Sequence, residues 1–427
     1  MTRTGPELAP LLARHGYHAL ELARDRAGGE GEAFAAMLLN RPAVVVRGRR
    51  GVRRFYDQHL VSRQGAVPPA LGWLLFGRGA LHGLDGPAHR DRKEIFREQL
   101  VDPAPVCVAT GAVERLGSDP TLRRRSGAPL VERLARALGA SVLQWAGIRC
   151  APGEAVQVSR MLAAVVDGFG FSPAAYARAW SARLAAQQWA RTVLDEVRRG
   201  VRPAAPDTAV RAFADAVPHV LDERQAAVEL LNLLRPTVAV AWPAASVVLA
   251  LHEHSQHTRR LVESPDRAER TAFVHEVRRC YPFVPALAGR LRADGPIGGC
   301  PMRSGDRIIL DVVGTHLDPA TWEEPERFDP ARFRGRPPGP DDLVPQGGGD
   351  PATGHRCPGE SLSVEVQVQV LALFARTPHA LAGPTGLRPP DGEDLRQGLG
   401  SGRHWTRMPP APPQTLQLRR LGADGAF

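Results

Sequence analysis

The sequence predicts a mainly α-helical α+β protein, in which a large helical part is joined to a smaller β-rich part. Three observations lead to this fold class. Stretches rich in Ala, Leu and Arg, with apolar residues at helical spacing, fill much of the first 280 residues. A long apolar segment over 222–254 reads as a central helix. After residue 285 the texture changes: Pro and Gly become frequent, and DRIILDVVGTH (306–316) alternates as a strand does.

The remaining elements follow in order. PAVVVRG (42–48) is strand-like, and 86–100, 131–147 and 174–199 read as helices, with another over 264–280. A Pro-rich coil, WEEPERFDPARFRGRPPGPDD (322–342), leads to a Gly-rich loop at 347–354, a helix from Pro358 and a Pro-rich tail with short strand-like pieces. No internal repeat is evident. Residues 1–427 read as a single folded unit with no flavin or iron–sulfur reductase domain fused to it.

Composition narrows the function. The net charge of +10 invites a nucleic-acid partner, but the basic residues alternate with acids, no block of five like charges occurs, and all but Lys93 are arginine. No nucleic-acid binding is expected. Five cysteines, Cys107, Cys150, Cys280, Cys300 and Cys357, are odd in number and contain no CxxC, so neither a disulfide framework nor a zinc site is indicated. The first residues lack an apolar signal core. The longest apolar run, Thr237 to Leu251, is about fifteen residues and contains Pro243, against the ~20 a bilayer requires. The expectation is no membrane span and a reducing, cytoplasmic setting.

Three groups of residues carry chemistry. In QGGGDPATGHRCPGESL (346–362), Gly347, Gly348, Gly349 and Gly354 form a loop able to approach a flat ligand, and Cys357 sits at a helix start where free N–H groups favour a thiolate. Pro358 suits the first helical position and Glu360 the first turn. The plain alternative is a buried structural cysteine. In HEVRRCYPFVP (275–285), Glu276 and Arg279 are three apart on one helix face and can pair, as many helical residues do. In ELLNLLRPTVAVAW (229–242), Arg235 lies among Leu, Val and Ala, where an unpaired cation is costly. Glu229 is six residues away on another face. A carboxylate ligand, held by two parallel hydrogen bonds, answers that need; a distant acid or snorkelling to the surface are the alternatives. Pro236 removes a helical hydrogen bond and opens a kink.

Taken together, these motifs resemble the cytochrome P-450 superfamily of heme-thiolate proteins. His355 stands where the superfamily has a basic residue two before its cysteine, and Gly359 where it has a glycine two after. The usual phenylalanine is absent and Thr353 replaces its neighbouring glycine; this, with GGGxxxxGHRCPGE, is similar to the bacterial fatty-acid peroxygenases. The resemblance implies the cytochrome P-450 fold and a heme b whose iron takes the Cys357 thiolate. It also implies a structural trio of Glu276, Arg279 and Arg332, in which Arg332 matches although Ala331 replaces the usual glutamate.

In LLFGRGALHGLDGPAHRDRKEIF (74–96), His89 and Arg92 are implied to face the heme propionates, and His82 to lie over the heme with Phe76 nearby. Arg235-Pro236 stands where ordinary monooxygenases have an acid–threonine pair. The implied reaction is oxidation of a fatty acid by hydrogen peroxide at Cα or Cβ, giving hydroxy acids or, by decarboxylation, a 1-alkene, without an obligatory redox partner. An oxygen-dependent monooxygenase with separate redox partners, or a non-catalytic heme sensor, are the alternatives. Gln414, Thr415 and Leu416 stand where the family tends to line its pocket with Ser-Gly-Phe, and Pro243 also departs from its pattern.

Overall fold

The computed structural model describes residues 5–29, 31–119, 128–168, 173–264 and 266–376, together with the backbone of 380–382 and 417–419. Helices dominate, and the expected helices are found at Gly86–Gln99, Leu130–Trp145, Pro173–Arg198 and Arg267–Cys280. Two further helices, Ala104–Gly117 and Pro152–Asp167, were not expected from the sequence.

The β-rich part is a five-stranded sheet. Its strands are β1 (Ala33–Leu38), β2 (Arg41–Val46), β3 (Val61–Ser62), β4 (Ala286–Leu291) and, after the short hairpin β5 (Gly295–Ile297) and β6 (Cys300–Met302), β7 (Arg307–Asp311). Their order is β1-β2-β7-β4-β3. Only β2 and β7 pair in parallel, with Val45 opposite Ile309. The period of two sorts their side chains. Val44, Val46, Ile308 and Leu310 pack with Val52, Phe55 and Val344, while Val45 and Ile309 pack with Leu8, Leu11 and Leu20. The alternation of 306–316 does not persist: the strand stops at Asp311, whose carboxylate accepts from the Gly314 amide at 2.7 Å and caps a short helix, Val312–His316.

The central helix opens with a capping box, in which Asp222 accepts from the Gln225 amide at 2.7 Å and the Gln225 side chain accepts from the Asp222 amide at 3.0 Å. It runs Glu223–Ala239, pauses at Val240, and resumes as Ala241–Glu253. The pause has a cause in Pro243, which has no N–H for the Ala239 carbonyl and is accommodated as the third residue of the second segment. Pro236 sits inside the first segment without ending it. Every residue from Ala226 to Ala239 is buried except Pro236, as befits a helix apolar on all sides. By length and composition Glu223–Glu253 could cross a membrane, longer than the fifteen-residue run suggested, but 83% of its most apolar window is buried inside the protein.

Candidate active site

Cys357 ends the Gly-rich loop beside the central helix. Its amide donates to the Gln346 carbonyl at 3.0 Å, which fixes the loop across its neck. The helix begins at Glu360 with Gly359 as its N-cap, so Pro358 precedes the helix and does not open it. The Gly359 amide points at the sulfur, yet burial outweighs it and pushes the Cys357 thiol up. A thiolate here therefore calls for a positive partner, which a ferric iron provides. The glycines also allow a close approach between the loop and the protein itself. A Cβ on Gly347, at φ +98°, would stand 2.8 Å from the Tyr56 hydroxyl, and one on Gly348 would stand 2.8 Å from Val52. They let the loop pack against the helix Gly48–Tyr56.

Four side chains brace this loop that the sequence reading did not single out for it. Lys93, 1% exposed, donates to the Gly354 carbonyl and, at 2.9 Å, to the Arg356 carbonyl. Burial lowers its pKa to about 8. Arg278 reaches Glu360 and the Gln346 side chain, the latter at 3.1 Å, while Arg356 holds Glu360 from the other side at 2.6 Å. His316 accepts from the Val344 amide at 2.9 Å. The rarity of Lys93 in this arginine-rich chain was a signal for it; Arg278 and His316 gave none.

The expected trio assembles. Arg279 donates twice to Glu276, at 2.8 and 2.7 Å, with both side chains fully buried. Its fork also reaches the carbonyls of His316 (2.9 Å), Pro325 (2.6 Å) and Arg327 (3.0 Å). Arg332 lies 3.6 Å from Glu276, and the Asp329 amide donates to the same carboxylate at 2.7 Å. The pair is paid for by these extra bonds, the condition under which a buried ion pair is tolerated. It joins the helix Arg267–Cys280 to the Pro-rich coil beneath the cysteine loop.

On the other side, His82, Phe76 and Arg235 converge. The rings of Phe76 and His82 stack with centroids 4.1 Å apart, and the Arg235 guanidinium is 5.7 Å from the Phe76 centroid. His82 is deep in the protein yet its surface is uncovered, and Cys357 is likewise deep but only half-buried. Depth and accessibility are reconciled if both line an interior space. Burial, with help from Arg235, His89 and Arg183, depresses His82 to about 3, so it is neutral at physiological pH. Burial and the Arg183 guanidinium lower Arg235 to about 9, while the nearby Cys357 thiolate opposes them. Arg235 makes no hydrogen bond or ion pair among the described residues, and its Nε is buried without a partner. Two surface clefts, of about 870 and 550 Å³, lie elsewhere, the first beside β1 and the second outside Glu360.

Glu229 is indeed turned away from Arg235. It accepts from the Leu81 amide at 2.7 Å, Asn232 at 2.9 Å and Arg92 at 3.2 Å. Arg92, expected toward a propionate, is thus engaged by Glu229 and the Gly79 carbonyl. The rings of His89 and His355 are tilted by 37° with centroids 4.0 Å apart, and His355 is 3.4 Å from Asp85. Burial holds His89 at about 4 and His355 at about 3.

These residues fit a heme. No group of three or more His, Cys, Asp or Glu among the described residues could hold a bare metal ion, so a metal at Cys357 must bring its in-plane ligands with it. A cysteine sulfur that is only half-buried, and a buried guanidinium near it with no partner among the described residues, suit a heme held by the Cys357 thiolate and an acidic substrate. Positions 414–416 lie outside the described residues.

Comparison with known proteins points the same way. The Cytochrome P450 family profile matches residues 265–372. The solved structure of cytochrome P450SP alpha (CYP152B1) in complex with (R)-ibuprophen is 30% identical, covers 99% of this chain and 100% of that one, and superposes with a TM-score of 0.86. Cytochrome P450EX alpha (CYP152N1) with myristic acid is 29% identical over 97% and 96% of the two chains, with a TM-score of 0.83. A variant of cytochrome P450 OleT in complex with arachidonic acid is 27% identical over 97% of each, with a TM-score of 0.82. Curated relatives are more distant: putative cytochrome P450 138 of Mycobacterium bovis is 27% identical over 78% of this chain and 79% of its own length. With cytochrome P450 4e5 of Drosophila mettleri the match spans 22% of that protein.

Proposed function

The chain belongs to the cytochrome P450 family, in its CYP152 branch, and from that membership we propose that it is a peroxygenase that uses hydrogen peroxide to oxidise fatty acids at Cα and Cβ. The observation that carries this reading is Arg235, a buried guanidinium with no acid partner among the described residues, near enough to Cys357 to feel its charge. Heme held by the Cys357 thiolate supplies cleavage of the peroxide bond and removal of hydrogen from the substrate. What the chain adds is placement. Arg235 binds the fatty-acid carboxylate through its planar fork, and the short reach from that carboxylate brings Cα and Cβ toward the Cys357 side. The carboxylate so fixed is the acid–base group for peroxide, in the place of an acid–threonine pair. Pro236 is the one partly accessible residue between Ala226 and Ala239, and in this reading it lines the substrate space beside Arg235.

Phe76 and His82 form the wall beside the carboxylate, and their contact with the substrate bears on the choice between hydroxylation and decarboxylation. Residues 1–427 act in this reading as one heme domain that requires no redox partner. The test is direct. Purified holoprotein is given hydrogen peroxide and tetradecanoic acid with no reductase. Hydroxy acids or 1-tridecene are expected. Turnover only with a reductase, electron carrier and oxygen would instead make the protein a conventional monooxygenase.

A further inference from the structure

A second guanidinium is buried beside the proposed carboxylate site. Arg183, on the helix Pro173–Arg198, is 2% exposed. Its Nη2 donates to the Phe76 carbonyl at 3.3 Å, its Nε is buried without a partner, and it has no ion pair among the described residues. The loop makes room for it at Gly77: φ is +90°, and a Cβ there would stand 2.2 Å from Arg183 Nη2. The Phe76 carbonyl is held from the other side by Asn232 Nδ2 at 3.0 Å, so the ring that stacks on His82 is fixed from behind.

The charges in this region do not balance. Arg92, Arg183 and Arg235 are three buried cations, and Glu229 is the buried carboxylate among them. Glu229 attracts Arg183, but its carboxylate is hydrogen-bonded to Leu81, Asn232 and Arg92, so among the described residues one buried acid serves three cations. Arg183 and Arg235 are close enough to repel each other, and burial of two like charges is costly until an anion joins them. Of the other titratable groups near the pair, His82 is neutral, and the Cys357 thiolate that attracts Arg235 is the group that would hold the iron.

We propose that Arg183 is a specificity-determining residue, which together with Arg235 selects a ligand bearing an ionised carboxylate over a neutral ligand of the same length. The inference rests on the reading that Arg235 receives the substrate carboxylate, and adds to it that the ligand must carry a full negative charge. Arg235 supplies the hydrogen-bonding fork; Arg183 supplies charge behind the Phe76 carbonyl.

The experiment is a ligand titration of the ferric holoprotein, read from the heme spin-state shift and without turnover. Tetradecanoic acid is compared with 1-tetradecanol for wild type, Arg183→Met and Arg183→Lys. In wild type the acid binds far more tightly than the alcohol. Arg183→Met weakens the acid at least about tenfold, as loss of a buried charge partner would, and leaves the alcohol within about twofold. Arg183→Lys, which keeps the charge, retains most of the preference. Equal weakening of both ligands in Arg183→Met would show a packing role only and overturn the proposal, as would an unchanged affinity for the acid. If Arg183→Met takes up no heme, Arg183→Lys decides: a preserved preference supports the charge role, and a lost one overturns it. A wild type that binds the alcohol as tightly as the acid would instead refute the carboxylate site at Arg235.

Discussion

Phe76 and His82 lie with their rings 17° from parallel and their centroids 4.1 Å apart. Arg235 stands over the same Phe76 ring, so residues 76, 82 and 235 form one wall although they come from two distant segments. Cys357 is near enough to Arg235 for its thiolate to act on it. The predictions below test this wall, Cys357 and the scaffold that holds them.

Cys357 is expected to be the axial ligand. The reduced carbon monoxide complex should absorb near ~450 nm, as thiolate-ligated hemes of this family do. Cys357→Ala should lose that band. Retention of the band in the variant would remove Cys357 from the site.

Arg235→Leu should lower peroxide-driven turnover of fatty acids by at least about a hundredfold, the scale of a lost positioned acid–base group, while the carbon monoxide band remains. The same change should raise the Tm of the ligand-free protein, because it removes an unpartnered buried cation. In wild type, a short carboxylic acid should permit oxidation of substrates that lack a carboxylate. Turnover of Arg235→Leu at the wild-type rate would exclude substrate-assisted chemistry.

His316 ties the trio to the cysteine loop: its carbonyl accepts from Arg279 and its imidazole from the Val344 amide. Burial, aided by Arg279 and Arg278, lowers its pKa from 6.5 to about 3. The unfolded chain therefore binds a proton between these values that the folded protein does not. Its contribution is complete above pH 6.5 and is lost as pH falls toward 3. His316→Gln can still accept from Val344 but does not titrate. The advantage of wild type over the variant should shrink between pH 7 and pH 4 by on the order of 3 kcal/mol, measured by denaturant unfolding at each pH. A difference independent of pH would contradict a neutral, buried His316.

The parts of this site that the sequence disclosed are those with local spelling. Glu276 and Arg279 are one helical step apart, and Cys357 is framed by His355 and Gly359, so neighbours in sequence remain neighbours in space. The isolation of Arg235 was legible because no apolar helix supplies it with an acid. What stayed hidden depends on distant pairing. Arg92 and Glu229 are 137 residues apart, and nothing local shows that they meet. Lys93 was visible only as the one lysine, and its role emerges once its nitrogen is seen on the carbonyls of Gly354 and Arg356. Arg278 is as ordinary in sequence as the arginine beside it. The helix Ala104–Gly117 escaped because its Gly, Thr and Val residues weaken the local preference that packing then overrides. The glycines before Cys357 were legible as a close approach, and Tyr56 and Val52 are surfaces that Gly347 and Gly348 approach.

The last prediction concerns His82 and the product. An imidazole that titrates near neutrality would offer a proton to the carboxylate, which glutamine cannot. The position of His82 argues against that explanation: depth in the fold and the Arg235 guanidinium depress it to about 3, which favours the neutral ring. Any effect of His82 must then come from a neutral ring that stacks on Phe76 and presents one donor and one acceptor nitrogen. Glutamine also has a donor and an acceptor, but not the stacking face, so the substitution frees Phe76 to shift toward the carboxylate. Wild type is expected to give 2- and 3-hydroxy acids together with detectable 1-alkene. His82→Gln should lower the alkene fraction, and the ratio should be flat between pH 6 and pH 8 in both proteins. The measurement is a gas-chromatographic product profile from tetradecanoic acid and hydrogen peroxide at three pH values. An alkene fraction that follows a titration near pH 6.5 would mean that His82 is charged in the working enzyme, against its depth in the fold. An unchanged fraction in His82→Gln would leave His82 as wall alone, and no alkene from wild type would make the protein solely a hydroxylase.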